Sequence, residues 1–400
     1  MLKIAVMGYG TIGSGVVEVI NTNQESIKKK LGHGIEVKYI LDLRDFKGDP
    51  IESKIIHDYK KIVNDSEIEI VVETMGGVEP AYTFVKEMLL AKKSVATSNK
   101  ALVAAKGAEL IELAKENNSN FLFEASVGGG IPIIRPLNTS LLADVVEEIT
   151  GIVNGTTNYM MTKMSKEGLE FQEVLKDAQE KGYAEKDPTA DIEGYDACRK
   201  IAILTSLASN QQVDYEDIYT EGITKISSTD IKYAYKMGYA IKLLAISKKI
   251  EDTYCAMVAP FLVSGEHQLY HVNGVFNAVL VHANMLGDAM FYGSGAGKLP
   301  TASAVVADII DMAKHIGINI PLMWDKEKLE LADHTNLEHQ FFVRTTETEE
   351  KVNNIFKNAE FVKIADVNNE IGFVTTKMKE SEYLEKAKEL GNVLQMIRVA

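Results

Sequence analysis

The chain has 400 residues, 46% of them hydrophobic and 25% charged, and a net charge of −14. That apolar content excludes a disordered chain, and the acidic balance gives no general pull towards nucleic acid or an anionic membrane. The length predicts two or three domains.

Met1 to Met7 run straight into a glycine loop, which leaves no room for a secretion leader. The longest stretch without Asp, Glu, Lys or Arg, His267–Gly287, is broken by histidines and asparagines. No membrane span is expected there. Two cysteines, Cys198 and Cys255, cannot build a disulfide framework. Reduced thiols in a soluble cytoplasmic protein are expected instead.

In chain order, Leu2–Met7 reads as a strand, Gly8–Gly15 as a glycine loop and Val16–Lys30 as a helix. Strands follow at Glu36–Leu41, Ile68–Val72, Val95–Thr97 and Asn120–Phe123, with helices over 80–92 and 104–116 between them. Alternating strands and helices predict parallel pairing through right-handed crossovers, an α/β dinucleotide-binding domain over 1–130. After Gly130 the texture is mixed α+β, with helices over Phe171–Lys181 and Gly194–Ala208 and strands near Glu148–Val153 and Thr253–Leu262. This predicts a second domain over 131–299. A helix over 300–318 returns to the first domain, and 319–339 is a linker. The stretch 340–400 reads strand, helix, strand, strand, helix, strand: Gln340–Thr345, Glu349–Asn358, Val362–Val367, Ile371–Met378, Ser381–Leu390 and Val393–Val399. That order predicts a small βαββαβ module.

The loop Gly8-Tyr9-Gly10-Thr11-Ile12-Gly13 follows a strand and opens a helix. Gly8 suits a tight turn, Gly10 leaves room for a pyrophosphate, and Gly13 permits close packing. The anion would rest on helix N–H groups at Thr11 and Ile12. The second strand ends Leu41-Asp42-Leu43-Arg44. An acid here would hold the ribose hydroxyls of NAD, and an arginine the 2′-phosphate of NADP. Both are present, so the residues leave the two cofactors open.

Two further loops leave strand ends at the ligand edge of such a sheet: Glu73-Thr74-Met75-Gly76-Gly77 and Thr97-Ser98-Asn99-Lys100. Glu124 precedes the glycine-rich turn Val127-Gly128-Gly129-Gly130-Ile131, a set of oxygen donors suited to a hard cation, or simply a domain-joining loop. Glu185 and Asp187 sit in a turn ended by Pro188. Asp196 and Lys200 lie one helical turn apart. On most helices that is a solvated ion pair, but this helix continues Ile201-Ala202-Ile203-Leu204 and reads as buried. A buried lysine with a carboxylate partner can position and deliver a proton.

Together these stretches resemble homoserine dehydrogenase. The matching runs are GYGTIGSGVV, VVETMGGVEPA, TSNKALVA, FEASVGGGIPIIRPL, GIVNGTTNYMMTKM, GYAEKDPTADIEGYDACRKIAIL and YGSGAGKLPTASAVVADI. The resemblance implies reversible, nicotinamide-dependent reduction of L-aspartate 4-semialdehyde to L-homoserine in threonine and methionine biosynthesis. It implies Lys200 as proton donor, Asp196 beside it in the substrate site, Glu185 on the substrate amino group and Tyr183 next to Glu185. Lys100 would stand at the junction of nicotinamide and substrate. Thr74, Gly76 and Ser98 would border the cofactor, and Gly295, Ala296 and Gly297 would close over it. Glu124 with the carbonyls of Val127, Gly129 and Ile131 would hold a structural sodium ion. Arg44 aligns with the family's arginine and leans the cofactor towards NADP(H), while Asp42 keeps NAD(H) possible. The resemblance also implies a homodimer or dimer of dimers, with interface segments over Gly151–Tyr159 and Ile131–Leu142.

The C-terminal module resembles a divergent ACT domain. Its first turn, Thr345-Thr346-Glu347-Thr348-Glu349, lacks Pro and Gly and carries acids, so a weak response to threonine is expected. Two other readings compete. A thiolate semialdehyde dehydrogenase would need Cys198 or Cys255 in a nucleophile turn, where neither lies. A nucleotide sensor would have no use for Lys100, Glu185, Asp196 and Lys200.

Overall fold

The computed structural model describes every residue except Asp366. The described residues form two compact units. One comprises Met1–Val146, Ala202–Glu216 and Ala283–Leu329; the other comprises Glu147–Ile201, Asp217–His282 and Glu330–Ala400.

In the first unit, strands β1 (Leu2–Met7), β2 (Ile35–Leu41), β3 (Ile55–Ile56), β4 (Ile68–Glu73), β5 (Ser94–Thr97) and β6 (Phe121–Leu122) form one sheet in the order β3-β2-β1-β4-β5-β6. Every pairing is parallel. The central strands are apolar almost throughout because helices cover both faces. The order reverses between β1 and β4, the switch point at which such sheets bind ligands. Helices Thr11–Thr22 and Lys298–Lys314 cover the sheet through Val16, Val17, Ile20, Val305, Ile309 and Met312. They approach so closely at Gly15 that a Cβ there would lie 2.8 Å from the Lys298 carbonyl oxygen.

The helix expected over Val16–Lys30 is two helices, Thr11–Thr22 and Gln24–Leu31, broken at Asn23. The second buries only Ile27 and stops at Gly32, whose φ is 82°. The helix expected from residue 300 starts at Lys298. Pro300 sits in its first turn, where a missing N–H costs nothing.

In the second unit, strands β7 (Val146–Ile152), β8 (Tyr239–Ile250), β9 (Thr253–Ser264), β10 (Phe276–Ala283), β11 (Glu338–Thr345), β12 (Glu360–Val362), β13 (Ile371–Val374) and β14 (Val393–Val399) run in the order β10-β7-β8-β9-β14-β11-β13-β12. Residues 338–399 supply strand, helix, strand, strand, helix, strand, with the helices at Glu349–Ile355 and Glu380–Leu390. They are not an island. β14 pairs in parallel with β9 at Phe261↔Arg398 and Leu262↔Val399, so one sheet continues through the join. Two of the expected strands are shorter. The strand read over Val362–Val367 covers Glu360–Val362, and Asp366 lies outside the described residues; the strand read over Ile371–Met378 ends at Val374.

The join carries a buried charge. Arg398 is 1% exposed. Its guanidinium donates to Glu380 on the last helix and, at 3.0 Å, to Glu221. Paired this way the arginine is tolerated; left alone it would cost several kcal/mol. The turn after β11 is also self-contained. Thr345 Oγ1 accepts from the Glu347 N–H, Thr348 caps the helix at Lys351 N, and Glu347 accepts from Asn392.

His339 on β11 has a buried Nε2 with no hydrogen-bond partner among the described residues, beside the Phe261 ring at 5.5 Å. Burial holds its pKa down to about 4, against 6.5 for the ordinary group. The unfolded chain therefore binds this proton first, and stability falls as pH drops from about 6.5 towards 4. His339→Phe should remove up to about 3 kcal/mol of that acid loss. Urea unfolding of both proteins between pH 7 and 4 measures it; identical slopes would rule His339 out as the cause.

Candidate active site

The glycine loop meets the steric requirements read from its sequence. Gly8 has φ 95°, where a side chain is strained. A Cβ on Gly13 would sit 1.9 Å from the Gly8 carbonyl oxygen. A Cβ on Gly10 would meet nothing within 4 Å. The loop is thus closed at Gly13, where it packs, and open at Gly10. Gly10 is the N-cap of the helix and offers no side chain, so the first-turn N–H groups stay available to an anion.

Asp42, at the end of β2, pins this loop from the side. Its Oδ2 accepts from Tyr9 N at 2.8 Å. The Arg44 guanidinium donates to both Asp42 oxygens, at 2.9 and 3.0 Å, and to the Tyr9 carbonyl. That hydrogen-bonded arginine is the main reason the Asp42 carboxyl titrates at about 2. Arg44 lies over the Phe46 ring, 4.5 Å from its centroid, with 61% of its side chain exposed.

The next two loops share one buried carboxylate. Glu73 Oε1 accepts from Met75 N at 2.7 Å, and Oε2 accepts from Thr97 Oγ1 at 2.5 Å. Burial pushes its pKa up against these hydrogen bonds. Thr97 Oγ1 in turn accepts from Asn99 N, and Asn99 Nδ2 reaches the Gly77 carbonyl. Asn99 also caps the helix Lys100–Glu116. Thr74, Gly76, Ser98 and Lys100 are therefore presented by loops tied at their bases. Thr74 Oγ1 also donates to the Gly8 carbonyl at 3.0 Å.

Glu124 is buried and accepts from the backbone N–H groups of Ile133, Ile134 and Arg135. Its own N–H donates to Asp308, which pairs with Arg135. Burial raises the Asp308 pKa to about 8. The buried carbonyls of Val127, Gly129 and Ile131 accept no hydrogen bond among the described residues. Gly129 lies against the second glycine turn: a Cβ there would be 2.3 Å from the Gly295 oxygen. Gly295 and Ala296 lead into Gly297, which has φ 116° and starts the helix Lys298–Lys314.

In the second unit, Lys200 and Asp196 do meet. Lys200 is 8% exposed, and its Nζ donates to Asp196 Oδ2 and to the Val153 carbonyl, both at 2.7 Å. Asn154 donates to Asp191 Oδ1 at 2.7 Å and to Asp196 Oδ2 at 2.9 Å. Burial raises the Asp191 pKa, while the Asn154 hydrogen bond opposes that. Thr156 Oγ1 donates to the Tyr183 carbonyl at 2.7 Å. Tyr183 is exposed, and its ring stands edge-on to Tyr159. Glu185 is exposed on the same loop. Cys198 and Cys255 are both buried; burial pushes the first thiol up and the second to about 12. Neither is a ready thiolate.

A family model described as homoserine dehydrogenase matches residues 132–310, and one described as the NAD binding domain of homoserine dehydrogenase matches 8–124. The homoserine dehydrogenase of Helicobacter pylori is 39% identical over 97% of this chain and 91% of its own length. That of Synechocystis sp. is 46% identical over 78% of this chain and 73% of its own. The chain belongs to the homoserine dehydrogenase family.

As a homoserine dehydrogenase it is a nicotinamide-dependent oxidoreductase, with the first unit as its Rossmann-type nucleotide-binding fold. A solved homoserine dehydrogenase from Thiobacillus denitrificans superposes with a TM-score of 0.91 at 32% identity, covering 100% of this chain and 98% of that one. A hyperthermophilic archaeal homoserine dehydrogenase, solved in complex with NADPH, gives 0.66 at 28% identity, covering 80% and 99%.

Sequence reasoning passed over Asn154, Asp191 and Glu73. All three lie inside the runs that carry the family resemblance, and Asn-Gly-Thr after an apolar strand is a helix-cap signal. Nothing local says that one amide reaches two carboxylates 37 and 42 residues away.

The glycines of this homoserine dehydrogenase separate folding from cofactor binding. Gly13→Ala should destabilise the protein by about 1–3 kcal/mol, because its Cβ meets fixed backbone. Gly10→Ala should leave stability within about 0.5 kcal/mol and raise the KM for the nicotinamide cofactor. Urea unfolding and steady-state kinetics on both variants check this; a cofactor KM unchanged in Gly10→Ala would mean the pyrophosphate does not approach that backbone.

Proposed function

We propose that Lys200 is the proton donor when this homoserine dehydrogenase reduces L-aspartate 4-semialdehyde to L-homoserine. The observation that carries the reading is the buried Lys200 ammonium, held between Asp196 and the Val153 carbonyl. Two acceptors fix its direction, and a carboxylate partner favours the ammonium form that a proton donor to a carbonyl oxygen requires. The nicotinamide, when bound, supplies the hydride to the aldehyde carbon. Lys200 protonates the oxygen; in the reverse direction it takes the hydroxyl proton. Asp196 balances its charge and borders the substrate. Glu185 and Tyr183 hold the amino-group end, and Lys100 stands where nicotinamide and substrate adjoin.

NADP(H) is the favoured cofactor, with NAD(H) usable. Asp42 has its oxygens occupied by Tyr9 N and Arg44, so it is poorly placed to take ribose hydroxyls, whereas the Arg44 guanidinium is fixed and exposed. The carbonyls of Val127, Gly129 and Ile131, with Glu124, suit a structural sodium ion, since a hard cation prefers oxygen donors. Exposed Leu142, Val145, Met285 and Leu286 are drawn together by bonds such as Val145 N to Asn284 Oδ1 at 2.9 Å. An apolar patch of this kind supports a homodimer or a dimer of dimers. Among the described residues no helix is long and apolar enough to cross a membrane, and the proposed setting is the cytoplasm. The βαββαβ extension reads as a divergent ACT-like element whose filled first turn does not suit threonine.

Lys200→Ala should lower kcat by about 10²–10⁴-fold with little change in cofactor affinity. Near-wild-type turnover in a folded variant would remove Lys200 from the mechanism. Arg44→Ala should weaken NADPH by roughly 1.5–3 kcal/mol and NADH much less. Fluorescence titration with each cofactor reads the difference, and equal losses would shift the test to Asp42.

A further inference from the structure

Asn154 joins the end of β7 to the helix Gly155–Glu167, and its side chain works in two directions. Its Oδ1 accepts from Thr157 N at 2.9 Å and from Thr157 Oγ1 at 3.0 Å, which caps the helix. Asp, Ser or Thr would cap equally well. Its Nδ2 does what those residues cannot, donating one hydrogen to Asp191 and the other to Asp196. The Asp196 oxygen it reaches is the one that accepts from Lys200. The residue before it, Val153, supplies the second acceptor for the same ammonium. One dipeptide thus touches the lysine, its carboxylate and a second carboxylate. The charged groups around the amide are Asp191 on the short helix Thr189–Ile192, and Asp196 and Lys200 on the helix Tyr195–Ser209.

We propose that Asn154 is a positioning residue for the reaction: its amide holds Asp191 and Asp196 side by side as carboxylates and, through Asp196, sets the proton affinity and direction of Lys200. The proposal rests on the reading of Lys200 as proton donor. Two carboxylates that share a site favour uptake of a proton unless a donor or cation lies between them. The amide is that donor and brings no charge of its own. Lys200 then keeps Asp196 as a full negative partner, rather than an acid that shares a proton with Asp191.

The test is the pH profile of kcat/KM for homoserine oxidation, where Lys200 must accept a proton. In Asn154→Asp the cap survives, but a third carboxylate replaces the donor and stabilises the Lys200 ammonium. In Asn154→Ser the cap survives and the donor to both acids is lost. The acidic limb should move up by about one pH unit or more in Asn154→Asp, and down in Asn154→Ser, where the unbridged acids take up a proton and leave the Lys200 ammonium less negative charge. At neutral pH kcat/KM should fall about tenfold or more in Asn154→Asp. Thermal melting should stay near wild type, and cofactor KM within about twofold. If Asn154→Asp does not fold, the Asn154→Ser profile decides. Lys200→Met is run alongside. If it abolishes turnover while the folded Asn154 variants keep the wild-type profile, Lys200 stands and Asn154 is only a cap. If Lys200→Met retains turnover, the proton-donor reading fails and takes this proposal with it.

Discussion

An ammonium group at 8% exposure needs its lost hydration replaced, and the Lys200 site is arranged around that need. Asp196 provides the charge, Val153 a carbonyl, and Asn154 the donor that keeps Asp196 from facing Asp191 unaided. These residues come from a strand end, a helix cap and a helix interior. The strand end that delivers Val153 and Asn154 follows β7, which pairs with the long β8/β9 ladder. The sheet therefore fixes where the proton-carrying group can point, and apolar neighbours such as Ile201 and Ala197 keep water from competing.

The same constraint recurs wherever this homoserine dehydrogenase buries charge. Glu73 is satisfied by two backbone N–H groups and a threonine hydroxyl, and so locks two ligand-edge loops together. Glu124 takes three backbone N–H groups and sets the glycine turn that follows it. Arg398 pairs with two glutamates where the C-terminal strands join the sheet. Buried ion pairs of this kind add little net stability, because desolvation offsets the attraction, but each fixes one geometry over its alternatives. Loops that would otherwise be mobile are held at their bases while their tips stay open.

Much of the first unit was legible because its signals are local. A glycine at positive φ, a glycine pressed against backbone and a glycine facing open space differ only in steric demand, and Gly8, Gly13 and Gly10 show those demands at the expected spacing. The Asp196–Lys200 pair was legible for a similar reason, since one helical turn brings both to one face. Boundaries were less legible. Asn23 breaks a stretch whose apolar spacing ran on, because the polar run Lys28–Lys30 gives the second helix little to bury.

By itself the sequence determined the parallel sheet, the glycine loop, the family and the lysine–carboxylate pair, all of which follow from short-range periodicity or from contiguous motifs. Tertiary structure alone decided that Asn154 bridges Asp191 and Asp196, that Glu73 ties two loops, that Asp42 is occupied by Tyr9 and Arg44, and that the last strand extends the β8/β9 sheet. Each of these joins groups distant along the chain or across a turn. Hydrogen-bond partners there are chosen by which polar atoms burial leaves unsatisfied, a quantity that exists only once the chain has packed.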